Sequence, residues 1–167
     1  SNYHEVLQGG FSRYFINSVL VLVVSIFLIL FLSACAAYPL ARFKFKYKKF
    51  IILFFLITQM LPSTLVLTPL YIMFSDIKLL NNYMAPMIAD ATLGIPFSVI
   101  ILRTYFLSIP KELDEAAKID GCGHISAFIK IMLPIGKPGV VVAAVFSFVY
   151  AWGDLIYGIT FMTNPTM

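Results

Sequence analysis

Charge is what this chain has least of. Only 12% of its 167 residues are Asp, Glu, Lys or Arg, about half the share of an ordinary soluble domain. Beside a hydrophobic content of 60%, that deficit argues against a soluble domain and makes membrane the default class. Cysteine is scarce too. Cys35 lies in an apolar run and Cys122 in a polar stretch, far apart and without metal or redox spacing, so both read as free thiols. The two histidines, His4 and His124, are isolated and have no second ligand at metal spacing. A glycine-rich phosphate loop and a Ser-His-Asp arrangement are also missing, so no cofactor, metal or catalytic residue is expected on the chain itself.

What remains is apolar and comes in blocks. Runs at about 14–40, 50–74, 83–102 and 139–161 each approach or exceed the roughly 20 residues needed to cross about 30 Å of hydrocarbon. A chain this short could bury one core, but it could not hide four such runs from water. Helices satisfy backbone groups within their own segment, so the pattern predicts an all-α, polytopic membrane helix bundle with four spans. Pro62, Pro69, Pro86 and Pro96 interrupt the runs, and kinks are expected there. The chain does not open on Met, and "TNPTM" follows an apolar run directly; it reads as a single transmembrane domain taken from a longer protein.

The joining segments alternate in charge. Arg42, Lys44, Lys46, Lys48 and Lys49 follow the first run, and Arg103, Lys111, Lys118, Lys130 and Lys137 follow the third, against only Arg13 and Lys78 on the other side. Basic residues accumulate in cytoplasmic loops, so this split puts the loop at about 103–138 inside and both ends of the chain outside. The net charge of +4 is explained by this topology without any nucleic acid. "LSAC" at 32–35 resembles the end of a lipoprotein signal, but the basic cluster lies on the wrong side of the apolar run for it.

Residues 111–138, "KELDEAAKIDGCGHISAFIKIMLPIGKP", form the one polar insert. Pro110 suits a first helical position, and Glu112, Asp114 and Glu115 suit the positive end of a helix dipole. Leu113, Ala116 and Ala117 share a face at helical spacing, and Gly121 can end the helix in a left-handed conformation. From His124, the residues Ile125, Phe128, Ile129 and Met132 again recur at helical spacing, with Pro134 and Pro138 expected to stop that helix and start the next span. The result is a helix-turn-helix at the cytoplasmic face. Small residues along the first helix would admit a close surface, with Leu113 as an apolar anchor. An amphipathic helix lying on lipid is the competing reading, but Glu112, Asp114, Glu115 and Asp120 would be repelled by an anionic leaflet.

"EAAKIDG", nine residues and "IMLP" resemble the EAA signature of binding-protein-dependent ABC importer permeases, with Glu115, Ala116, Ala117, Gly121, Ile131, Leu133 and Pro134 at its fixed positions. "AYPLARF", "QMLP", "PLYIMF", "IPKELDEAAKIDG" and "AWGD" are similar to the carbohydrate branch of that family, the maltose-permease type. The resemblance implies a multi-pass protein of a bacterial or archaeal inner membrane with six spans when intact. Its partners would be a cytoplasmic ABC ATPase dimer that carries ATP and Mg, a second permease subunit and an extracytoplasmic solute-binding protein, all around a lipid bilayer. The EAA helix, with Leu113 and Asp120 beside the signature residues, would dock on the ATPase. Gly153 departs from the family pattern, which often has Asn after the Trp.

Asp90 and Asp154 are the acids within the apolar runs, and such residues usually face a bundle interior or a water-filled pathway. At about 1.5 Å per residue, Asp90 and Gln59 fall roughly 10–14 Å deep. Gln59, Asp90, Tyr150, Trp152 and Asp154 are the substrate-pathway candidates, because a sugar needs hydrogen bonds for its hydroxyls and an aromatic face for its C–H surface. Against that, Trp and Tyr also belong to the interface belt, and the acids could cap or bond neighbouring helices. A secondary transporter or channel is the alternative function; it would need ion sites or a filter, and would leave the insert without a purpose. A membrane enzyme would need a catalytic cluster, and none can be assembled.

Overall fold

The computed structural model describes residues 11–162, so His4 and the closing "TNPTM" lie outside it. Every regular element among those residues is helical. Helix α1 (Phe11–Arg42) buries Leu22, Ser25, Ile29, Ser33 and Ala37 at i, i+3 and i+4 steps and turns Val23, Phe27 and Phe31 outward. An apolar outer face is what lipid requires, while small buried residues let backbones approach. Helix α4 (Met84–Ser108) meets it at Asp90, which accepts from Ser25, at Ile95 O, which accepts from Ser33, and at Gly94, and α1 against α4 is the main packed pair. A Cβ on Gly94 would sit 2.6 Å from Ile29 Cδ1, so the end of the Ile29 side chain occupies the space this glycine leaves.

Between them the second apolar run is two helices. Helices α2 (Lys48–Thr58) and α3 (Ser63–Asp76) are bent by 99° at Gln59–Pro62, a much larger break than the kink expected. Pro62 precedes the first residue of α3 and disfavours helical backbone at Leu61. Pro69, by contrast, sits inside α3, and Pro86 and Pro96 are buried inside α4. The third run also outlasts its hydropathy: α4 continues six residues beyond 102, where Arg103 donates from Nε to Leu40 O (3.2 Å) and so caps the end of α1.

The insert follows as α5 (Glu112–Ile119), α6 (His124–Ala127), a π-helical turn (Phe128–Met132) and α7 (Leu133–Ile135). Lys111 caps α5, so Pro110 lies just ahead of the helix rather than in its first turn. Nor does Pro134 end the second insert helix. It removes a backbone donor, and the helix accommodates this by widening into the π turn just before it, with Leu133 N–H donating to Phe128 O. The path bends by 75° into α8 (Lys137–Gly153), whose close contact with α4 is set by Gly139: a Cβ there would lie 2.5 Å from Tyr105 Cγ. The last run breaks at Asp154, and α9 (Leu155–Phe161) continues it.

Two described helices, α1 and α4, are long and apolar enough to cross a membrane, and each bent pair that passes the same test brings the number to four. The ends segregate as the charge pattern requires. Arg42, Arg103 and the insert gather at one end, while Asn81 N–H donates to Phe161 O (2.8 Å) and Phe15 meets Trp152 edge-on (6.4 Å) at the other.

Candidate functional site: the polar insert and the polar residues of the spans

Helix α5 is short and held on one side only. Ala117 is its buried residue, whereas Leu113, Glu115, Ala116 and Asp120 are exposed and Ile119 is 87% exposed. A helix of eight residues with no buried apolar stripe has little reason to persist alone. Three acidic residues in its first turn and Lys118 in its last oppose the dipole favourably. Its end is fixed by the chain itself: Gly121 has φ +77°, Gly121 N–H donates to Lys118 O (3.0 Å), and Cys122 N–H to Ala117 O (2.8 Å). That pair of bonds is a Schellman closure, and it needs the left-handed residue that the sequence placed there. A Cβ on Gly121 would meet nothing of this chain within 4 Å, so the space beside the bend is open.

The second half of the signature does different work. Met132 is fully buried, Ile131 and Leu133 are half-buried and Pro134 is exposed, because the π turn rotates the helix face by one residue. Ile125 and Ile129, which the periodicity puts on one face with Phe128 and Met132, are exposed, and Ala127 is buried instead. What anchors the insert to the spans was not legible from spacing. Arg42, in the last turn of α1, places Nε 2.9 Å from Asp114 Oδ2, with side chains only 5% and 16% exposed. Helical spacing has no access to such a pair, 72 positions apart; the one available signal was an arginine closing a span and an acid opening an insert helix.

The polar span residues divide between two cavities. Gln59 and Tyr150 line one of about 380 Å³ together with Thr58, Ser63, Ser98 and Ser147. Gln59 Nε2 donates to Leu93 O (3.3 Å), tying the broken corner between α2 and α3 to α4, and the hydroxyls of Ser98 and Ser147 meet at 3.4 Å in its buried wall. Asp90, Trp152 and Asp154 line a second cavity of about 710 Å³ with Tyr14, Asn17 and Tyr83. Asp90 is 4% exposed and accepts from Ser25 Oγ (2.9 Å), a bond across the α1–α4 contact. Asp154 Oδ1 accepts from the backbone N–H of Ile156 (3.1 Å) and Tyr157 (3.2 Å), so it caps α9. Trp152 stacks on Phe148 at 5.8 Å and meets Phe15 edge-on. No group of His, Cys, Asp and Glu able to hold a metal occurs among the described residues, and both cysteines are free.

Comparison with known proteins decides the family. The model of the binding-protein-dependent transport system inner membrane component matches residues 29–167. The chain belongs to that family. It is 37% identical over 99% of its length to a probable ABC transporter permease protein, YurM, of Bacillus subtilis, covering 55% of that protein. It is 34% identical over 90% of its length to the sulfoquinovosyl glycerol transport system permease protein SmoH of Agrobacterium fabrum, covering 53% of it. The trehalose transport system permease protein SugB of Mycobacterium tuberculosis is 33% identical over 95% of the chain, with 58% of SugB covered. The chain thus spans between half and three-fifths of the length of these relatives. A crystal structure of a bacterial ABC transporter involved in import of the acidic polysaccharide alginate shares the fold, with a TM-score of 0.78 at 21% identity over 87% of this chain and 51% of the other.

Proposed function

We propose that this chain is the membrane-embedded part of an ATP-driven importer for a sugar or oligosaccharide, and that the insert couples it to a cytoplasmic ATPase. One observation carries the reading: α5 presents Leu113, Glu115, Ala116 and Ile119 to solvent beside an open bend at Gly121, yet its base is locked to the spans by a shielded ion pair. Such a helix is built to be gripped from outside while its position is read from inside. The permeases SmoH and SugB, named for transport of carbohydrate-containing solutes, support the substrate class. In this reading the chain needs no cofactor of its own, ATP and Mg belong to the ATPase dimer, and a second permease subunit and an extracytoplasmic binding protein complete a multi-pass inner-membrane complex.

The pathway would run past the smaller cavity, where Gln59, Tyr150 and three serines offer the mixture of amide, hydroxyl and aromatic surface that a sugar uses. Asp90 and Asp154 border the larger one, each with a hydrogen bond that also explains its place structurally.

Gly121→Val tests the docking. A β-branched residue in the left-handed region costs roughly 1–2 kcal/mol and fills the open space beside the bend. The spans should insert normally, while co-purification of the ATPase with the intact permease and ATP turnover stimulated by loaded binding protein should both fall. Wild-type values for both would refute the docking role.

A further inference from the structure

We infer that Arg42 is a positioning residue that carries movement of the insert into the first span; this rests on the reading of the insert as the docking element. Three segments converge on its guanidinium. Nε lies 2.9 Å from Asp114 Oδ2 in the first turn of α5, Nη2 donates to Ile109 O (2.8 Å) at the end of α4, and Nη2 also approaches Met132 Sδ (3.5 Å) in the π turn. A planar fork reaches a carboxylate and a carbonyl from separate nitrogens, whereas an ammonium presents its three donors from a single atom.

The mechanical argument follows from what else holds α5. Ala117 is the buried residue of that helix, and a methyl group transmits push but no pull. Asp114 is therefore the side chain through which a displacement of the exposed face is drawn back onto α1. A second contact keeps the receiving end stiff. Phe106, Phe128, Tyr38, Phe43 and His124 form a row of rings with successive centroids 6.2, 4.9, 5.5 and 5.0 Å apart, linking α4, the π turn, α1 and α6. Arg42 sits four residues beyond Tyr38 and directly before Phe43. The insert thus bears on the end of α1 through the Arg42–Asp114 pair, the aromatic row and buried Met132, and α1 is packed along its length on α4, where Ser25 meets Asp90.

The test uses the complete permease with its ATPase and binding protein in proteoliposomes. Arg42→Gln, Asp114→Asn, the double variant and Arg42→Lys are compared for ATPase co-purification, basal ATP turnover and stimulation by solute-loaded binding protein. Arg42→Gln should retain the ATPase and basal turnover while stimulation falls by about 2- to 30-fold, the range expected along a coupling element. Because the contact that Asp114→Asn weakens is among those already lost in Arg42→Gln, the double variant should fall no further than Arg42→Gln alone. Arg42→Lys should lie between wild type and Arg42→Gln. Full stimulation in Arg42→Gln, additive losses in the double variant, or dissociation of the ATPase from Arg42→Gln each overturn the proposal. Gly121→Val run in parallel separates the two ideas: wild-type association and stimulation in that variant reject the docking reading itself, whatever Arg42 does.

Discussion

Replacing Gly139 by Ala should loosen the membrane bundle, and replacing Gly94 by Ala should not, although both glycines lie where helices nearly touch. At Gly139 the added Cβ would be 2.5 Å from Tyr105 Cγ and 2.7 Å from its Cβ. Those atoms belong to the root of the side chain and move only if α4 moves. At Gly94 the obstacle is Ile29 Cδ1 at 2.6 Å, the far end of a side chain that can change rotamer. Overpacking costs about 1–3 kcal/mol. The root contact belongs at the upper end and the terminal methyl at the lower. Alanine in a helix interior regains about 1 kcal/mol over glycine, which applies in full at Gly94 but only in part at Gly139, in the first turn of α8. The net cost is then about 2–3 kcal/mol for Gly139→Ala, roughly a 30- to 150-fold loss in the folded-to-unfolded ratio, and about zero for Gly94→Ala. Denaturant unfolding of the purified full-length permease in detergent micelles measures both, and Gly94→Ala with Ile29→Val should be no less stable than wild type. Equal stability of Gly139→Ala and wild type would refute the reasoning, because it would mean that α8 does not rest on α4 at Tyr105.

Cysteine at Lys46 or Lys118 should be labelled only from the cytoplasmic side and cysteine at Lys78 only from outside, as measured with an impermeant maleimide in intact cells; external labelling at Lys118 would reverse the orientation. Asp154→Ala should cost about 0.5–2 kcal/mol by removing the cap of α9, while Asp154→Asn keeps an acceptor and most of the stability. A transport defect in Asp154→Asn at normal stability would assign this acid to the solute pathway as well.

The spans were legible because lipid imposes a composition that survives averaging over 20 residues. An orientation follows from the sequence alone because Lys and Arg divide ten to two between the two sides, and the labelling experiment above is what tests it. The end of the first insert helix could be read because Gly121 takes the left-handed conformation, at φ +77°, that closes it. Breaks were harder. The sequence of α2 and α3 is apolar straight through Gln59–Pro62, so a hydropathy window sees one span where the backbone turns by 99°. The π turn was invisible for a related reason: Pro134 announces a missing donor but not whether the helix will stop or widen around it. Arg42 read as one basic residue among ten, since nothing in its neighbourhood of sequence names Asp114 or Ile109 as partners.

The turn at Gln59–Pro62 also constrains what can surround it in a bilayer. Hydrocarbon offers no hydrogen bonds, so backbone outside a helix is tolerated at membrane depth only against protein or water. Met60 is 81% exposed in the isolated chain, and the four-residue corner around it has left the helical ladder. At membrane depth such a corner requires protein or water beside it, whereas the flank bearing Phe27 and Phe31 has the composition that acyl chains accept. A single bend thus divides the molecule's surface into a side that lipid wets and a side that it must not reach.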